Sequence, residues 1–243
     1  MTGFPVRMIS QMATLHFAAS TKNRDALLAE GIPSDNIILT GNPVIDTLSG
    51  ILKTGKPSRA ATALLKAVEG TRSIVMTAHR RENFDGRLQG YFEVMRDFVT
   101  ENPDVSLIFP VHPNPNVRET ASEILGGMER VHLVAPMPYQ DFLHLLSNAW
   151  LLVSDSGGIQ EEAPSLGKPL LILRENTERP EAVECGAARL VGEDPTALRR
   201  HLKRASVDIE WFTHCRNIKN PFGDGKASRR IAEAIVSLVT KKR

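Results

Sequence analysis

The stretch VSDSGGIQEEAPSLGKP, Val153 to Pro169, hands an apolar run over to Ser156, Gly157 and Gly158, and then to the adjacent carboxylates Glu161 and Glu162. Ser156 can cap a following helix, and two glycines let backbone N–H groups come close to a ligand. A phosphate placed there meets free amides and the positive end of a helix dipole. The dipole alone contributes about 0.3–1 kcal/mol per charge at an exposed site, so cations and a base pocket must help. A carboxylate one turn into the helix does not favour phosphate, but it can accept hydrogen bonds from ribose hydroxyls. A tight strand-to-helix turn with dipole-favoured glutamates is the plainer alternative.

Three further loops carry candidate groups. TAHRRENF sets His79, Arg80 and Arg81 together after an apolar run. Two cations suit a pyrophosphate, and a histidine can move protons near neutral pH. FPVHPNPNVRE presents His112 on a loop stiffened by prolines. LRENTERPEA offers Arg174 and Arg179, either of which could reach a phosphate or a sugar. A solvated basic loop, a proline turn and surface salt bridging are the corresponding structural readings. His16, His132, His144 and His201 fall inside strand-like or helix-like patterns and read as structural. The sequence offers no metal-ligand spacing, no Walker-type loop and no G-x-S-x-G.

These loops need a scaffold, and the chain alternates short apolar runs with amphipathic segments. SIVMTA, VSLIFPV, VHLVAP, WLLVSDS and PLLIL read as strands, with helical patterns between them. The strands lack polar alternation, so both faces are expected to be buried, which implies an α/β fold with a doubly wound parallel sheet. Ligands then sit beyond the carboxyl ends of the strands, where all four loops fall. Residues 1–50 offer only two strand–helix units, so they form either an edge of the main sheet or the tail of another domain. KTGKPSRAA, rich in Gly, Pro and Lys, reads as a linker.

The chain has 243 residues, 42% hydrophobic and 24% charged, with a net charge of +2. That balance gives no bias toward nucleic acid or membrane. Two cysteines, Cys185 and Cys215, build no disulfide framework and fit a reducing cytoplasm. No run approaches transmembrane length.

Together, LHFAAS, ILTGNPVID, TAHRREN, FPVHPNPNVRE, SDSGGIQEEAPSLGKPLLILRENTERPEAVECGAARLVG and NPFGDGKASRRI resemble the non-hydrolysing UDP-N-acetylglucosamine 2-epimerases. The matching pieces run in order over nearly the whole chain. The resemblance implies Rossmann-like domains in the glycosyltransferase-B arrangement, with UDP held by the C-terminal one. It implies conversion of UDP-GlcNAc to UDP-ManNAc by elimination and re-addition of UDP, for surface polysaccharide synthesis, with no cofactor and no metal.

The same resemblance makes His79 the catalytic candidate at the UDP phosphates. It assigns Ser156, Gly157 and Gly158 to the phosphate turn, Glu162 to the ribose, Arg179 to the phosphates and Phe142 to the uracil. Arg80 and His112 match positions of a possible allosteric UDP-GlcNAc site. No role carries over to Glu161, which is expected to face solvent or neighbouring loops.

The family's GTRPE, HGDT, EAGLR and PEExNR motifs, which hold its acid–base carboxylates, are not in this sequence. The expected organisation is therefore a C-terminal remnant of an N-terminal domain over 1–52, a linker over 53–59, and a UDP-binding domain over 60–220. A helix over 221–243 crosses back toward the N-terminal domain. A homodimer is expected for the full-length form. The competing readings are a UDP-binding fragment without epimerase activity, a glycosyltransferase of the same architecture, and a hydrolysing epimerase that releases free ManNAc.

Overall fold

The computed structural model describes residues 4–78 and 86–241. The chain divides into two compact units, one of 1–50 with 220–243 and one of 51–219.

The first unit holds α1 (Phe4–Met12), β1 (His16–Ala18), α2 (Thr21–Ala29), β2 (Ile37–Leu39), most of α3 (Pro43–Thr54) and the last helix, α12 (Ala227–Lys241). As the sequence leads one to expect, the Ser20 hydroxyl caps α2 by accepting from the Asn23 N–H at 3.2 Å. Strands β1 and β2 pair in parallel with His16 opposite Ile37. They form a sheet of their own and are not an edge of the larger one.

The two ends of this unit in sequence are stitched together. The Asp46 carboxylate on α3 accepts from the Ala227 and Ser228 N–H groups at 3.1 and 2.9 Å, which satisfies donors at the start of α12. Arg230 donates to the Thr40 carbonyl at 2.9 Å and pairs with Asp224, whose carboxyl its hydrogen bonds pull down to about 2. Gly41 makes the close approach possible. It sits at φ +86, and a Cβ there would come within 3.0 Å of the Gly223 Cα.

The second unit begins with α4 (Arg59–Ala67). This helix starts inside the stretch that reads as a linker. Its signal is local, since the Ser58 hydroxyl accepts from the Ala61 N–H at 3.2 Å. The Asp141 carboxylate also accepts from the Ser58 N–H at 2.7 Å, a partner that local sequence does not announce. The remaining elements are β3 (Arg72–Thr77), α5 (Arg87–Glu101), β4 (Val105–Pro110), α6 (Pro115–Leu125), β5 (Val131–Val134), α7 (Tyr139–Asn148) and β6 (Leu151–Ser154). They continue with α8 (Gly157–Leu166), β7 (Leu170–Ile172), α9 (Pro180–Glu184), β8 (Ala188–Leu190), α10 (Pro195–Ala205) and α11 (Ile209–Asn217).

All pairings in the larger sheet are parallel, in the order β5-β4-β3-β6-β7-β8. The chain starts in the middle at β3, works outward to β5, then returns to lay β6 beside β3. With right-handed crossovers, that reversal sends successive helices to opposite faces. Helix α5 accordingly packs on α6 and α10, whereas α4 packs on α7. This is the doubly wound parallel α/β fold expected from the unalternated strands. Residues Leu151–Ser154 and Leu170–Ile172 are buried throughout. Phe92, Phe109, Met95 and Leu107 fill the core with no measurable exposure.

Candidate functional site at the β3/β6 switch point

The order reversal puts the switch point at the carboxyl ends of β3 and β6, the place where open parallel sheets bind ligands. Thr77 ends β3 and Ser154 ends β6, and their hydroxyls are hydrogen-bonded across the strands at 2.7 Å. Immediately beyond β6 come Asp155 to Gly158. His79 and Arg80, which follow β3 in sequence, lie outside the described residues.

Ser154 also shapes the turn on the β6 side. Its hydroxyl accepts from the Ser156 N–H at 2.9 Å, which folds the chain into α8. Ser156 occupies the N-cap position, but its side chain makes no capping bond. This corrects the capping role expected from sequence, because the neighbouring serine does the local work. Gly157 and Gly158 open the helix without positive φ. A Cβ on Gly157 would meet nothing within 4 Å, and one on Gly158 only the Ser156 hydroxyl at 3.8 Å. Among the described residues, packing therefore does not require glycine at either position.

We expect Gly157→Ala to leave the melting temperature unchanged or slightly raised, since alanine is the better helix former by about 0.8–1.0 kcal/mol. Binding of a phosphate ligand at the turn should weaken in the same variant, as read by titration calorimetry.

One turn into α8 lie Gln160, Glu161 and Glu162, all buried. The Glu162 carboxylate accepts from the Tyr139 hydroxyl at 2.7 Å. Burial pushes its carboxyl above the usual range; the Tyr139 bond opposes the rise and the Glu161 charge adds to it. Burial and the same contact push the Tyr139 phenol well up. Of the two settings expected for Glu161, the solvent one fails, because its carboxylate pairs with the Arg179 Nε from the next loop. Arg179 is also fixed through its backbone, whose N–H donates to the Thr177 hydroxyl at 2.9 Å. The Thr177 hydroxyl in turn donates to Gln160, whose amide reaches the Ser156 carbonyl at 3.2 Å. A polar network therefore ties the α8 turn to the 174–179 loop.

Phe142 sits half-buried on α7, one turn after Tyr139, so both rings lie on the helix that supplies the Glu162 partner. His112 lies exposed after β4, and its Nδ1 accepts from the Asn114 N–H at 3.2 Å. Among the predicted residues, the structure brings Ser156, Gly157, Gly158, Glu162 and Arg179 into one connected region at the carboxyl ends of β6 and β7. Sequence reasoning did not find Tyr139, Gln160 and Thr177. Only Tyr139 had a usable signal, an aromatic with a polar tip in the first turn of an amphipathic helix. Among the described residues, no cluster of His, Cys, Asp and Glu could hold a metal ion, and no helix is long and apolar enough to cross a membrane.

Fold and site together define an α/β protein of the doubly wound class, with a glycine turn at its switch point. Residues 6–236 match the family model described as UDP-N-acetylglucosamine 2-epimerase, so the chain belongs to that family, whose members are isomerases. The UDP-N-acetylglucosamine 2-epimerase of Bacillus subtilis is 40% identical over 230 residues, spanning 95% of this chain and 60% of that protein. The crystal structure of UDP-GlcNAc 2-epimerase from Neisseria meningitidis bound to UDP-GlcNAc superposes with a TM-score of 0.87 at 38% identity, over 95% of this chain and 63% of that one. The S. aureus MnaA–UDP structure gives a TM-score of 0.91 at 35% identity, over 96% and 63%. The chain thus spans about three-fifths of the length of the relatives it matches.

Proposed function

We propose that the 51–219 unit is the UDP-binding part of a UDP-GlcNAc 2-epimerase, acting in the interconversion of UDP-GlcNAc and UDP-ManNAc for surface polysaccharide synthesis. The observation that carries this reading is the Ser156–Gly157–Gly158 turn at the β3/β6 switch point. Its glycines have room that no described residue fills, and buried Glu162 lies one turn deeper. In this reading the diphosphate lies on the turn and the helix N-terminus. Glu162 accepts from the ribose hydroxyls while Tyr139 orients its carboxylate, and Phe142 lies against the uracil. His79 serves the leaving diphosphate, Arg179 lies near the phosphates, and Arg80 and His112 belong to a second nucleotide-sugar site. The two solved relatives carrying UDP and UDP-GlcNAc support this choice of ligand. The full-length form is proposed to be a cytoplasmic homodimer.

The reaction eliminates UDP to leave a glycal and re-adds it on the other face, which needs carboxylates to move the C2 proton. General acid–base groups contribute about 10²–10⁴-fold each. None of the family's carboxylate motifs occurs in these 243 residues. The 243-residue chain is therefore expected to bind UDP and to leave UDP-GlcNAc unconverted. A UDP titration followed by thermal shift checks the first part, and NMR of UDP-GlcNAc incubated with the chain checks the second. UDP at about 100 times its dissociation constant should stabilise by roughly 2.7 kcal/mol. No shift would remove the reading, and UDP-ManNAc in the NMR would show that this chain carries its own acid–base groups.

A further inference from the structure

The loop after β7 carries two arginines in very different circumstances. Arg179 is half-exposed and its Nε is held by Glu161. Arg174 is only 8% exposed, and its Nε and Nη2 are buried with no hydrogen-bond partner among the described residues. Its backbone is fixed, with its N–H donating to the Ile172 carbonyl at 2.8 Å and its carbonyl accepting from the Gly192 N–H at 3.0 Å. The position is equally defined. Ser154 and Ile172 are register partners, so Arg174 stands two residues beyond β7 as Ser156 stands two residues beyond β6. The Leu173 N–H donates to the Ser154 carbonyl at 3.0 Å, so the two strands stay joined up to that point.

Leaving donors of a guanidinium buried and unpaired is costly, and a fold gains nothing from it. Such a group in a native protein calls for a specific explanation. A planar fork of N–H donors matches a phosphate oxygen pair, and Arg174 follows β7 in the register in which the Ser156 turn follows β6.

We propose that Arg174 is a diphosphate-recognition residue of this site, holding the same diphosphate that lies on the Ser156–Gly158 turn. This rests on the UDP reading above for the identity of the nucleotide, but not for the anion. In that role the buried cation is a cost of the free protein that the ligand offsets. Removing the charge then has opposite effects on stability and binding. A purely structural arginine would lose both.

The test uses the full chain as wild type, Arg174→Met and Arg174→Lys. Melting temperatures are measured without ligand, and UDP, uridine and inorganic pyrophosphate are titrated by calorimetry. Arg174→Met should melt at or above wild type, bind UDP and pyrophosphate at least tenfold more weakly, and bind uridine unchanged. Arg174→Lys, which keeps the charge without the fork, should fall between. A methionine variant that melts clearly below wild type, or that binds UDP and pyrophosphate as wild type does, overturns the proposal. Pyrophosphate binding that depends on Arg174, in a chain that ignores UDP, would remove the UDP reading and leave the anion site standing. Wild type that binds neither removes both.

Discussion

Glu162→Ala should abolish most of the thermal stabilisation that UDP gives the wild-type chain. Each hydrogen bond to a charged acceptor contributes about 1.5–3 kcal/mol, so losing the proposed ribose acceptor should weaken binding tenfold or more. The unliganded protein should fold normally, because the Tyr139 hydroxyl that loses its acceptor belongs to a residue 38% exposed and can turn to water. A variant that binds UDP as tightly as wild type would separate Glu162 from the nucleotide altogether.

The same carboxylate gives a pH signature. Its pKa is raised in the folded chain. Between the ordinary carboxylate value and that raised value, the native state holds more protons than the unfolded one. Its contribution to stability is therefore largest at low pH and falls as pH rises through this window. UDP binding runs the other way, since ribose hydroxyls need an ionised acceptor, so affinity should climb across the same window. The diphosphate's own last ionisation, near about pH 6 for a phosphate ester, also raises affinity with pH. The difference between wild type and Glu162→Gln isolates the side chain. Parallel pH curves for the two would show that Glu162 does not titrate against the ligand.

The second large effect is structural. Phe109 on β4 has no measurable exposure and packs against Phe92 of α5, ring centroids 5.2 Å apart and tilted by 57°. Truncation leaves a void between the sheet and a helix layer that rigid strands cannot close. Phe109→Ala should cost about 3–5 kcal/mol, in line with other buried aromatics. Both tryptophans, Trp150 and Trp211, lie in the 51–219 unit, so denaturation followed by tryptophan fluorescence reads that unit alone. A loss below about 1 kcal/mol would mean that the core around β4 collapses readily around a missing ring.

Much of the scaffold could be read from the sequence because its signals are local. Apolar runs without alternation marked the buried parallel strands. Family resemblance then supplied the proposed roles. What stayed hidden depends on partners far apart in the chain. Glu161 meets Arg179 and Glu162 meets Tyr139, and neither spacing belongs to a helix or strand period. Ser156 stands at the N-cap of α8 as expected but makes no capping bond, and only the turn shows that the Ser154 hydroxyl is the one that accepts from the backbone. Helix α4 was missed because glycine, proline and lysine before Ser58 masked a sound N-cap. That Arg174 is buried and Arg179 half-exposed, although both lie in one charged loop, follows from the ends of β7 and β8 and from nothing in the local composition.

The seat of α12 on Asp46 and Thr40 also sets an order of events during synthesis. The 51–219 unit is one uninterrupted stretch, so its sheet can form as soon as that stretch has left the ribosome. The other unit is split, and its 220–243 part is made last. The Asp46 carboxylate and the Thr40 carbonyl stay without these partners until Ala227, Ser228 and Arg230 emerge. A ribosome stalled before residue 220 would carry a finished parallel sheet beside an open β1–β2 pair. Trimming the last helix by protease should likewise loosen the opposite end of the chain while sparing the sheet.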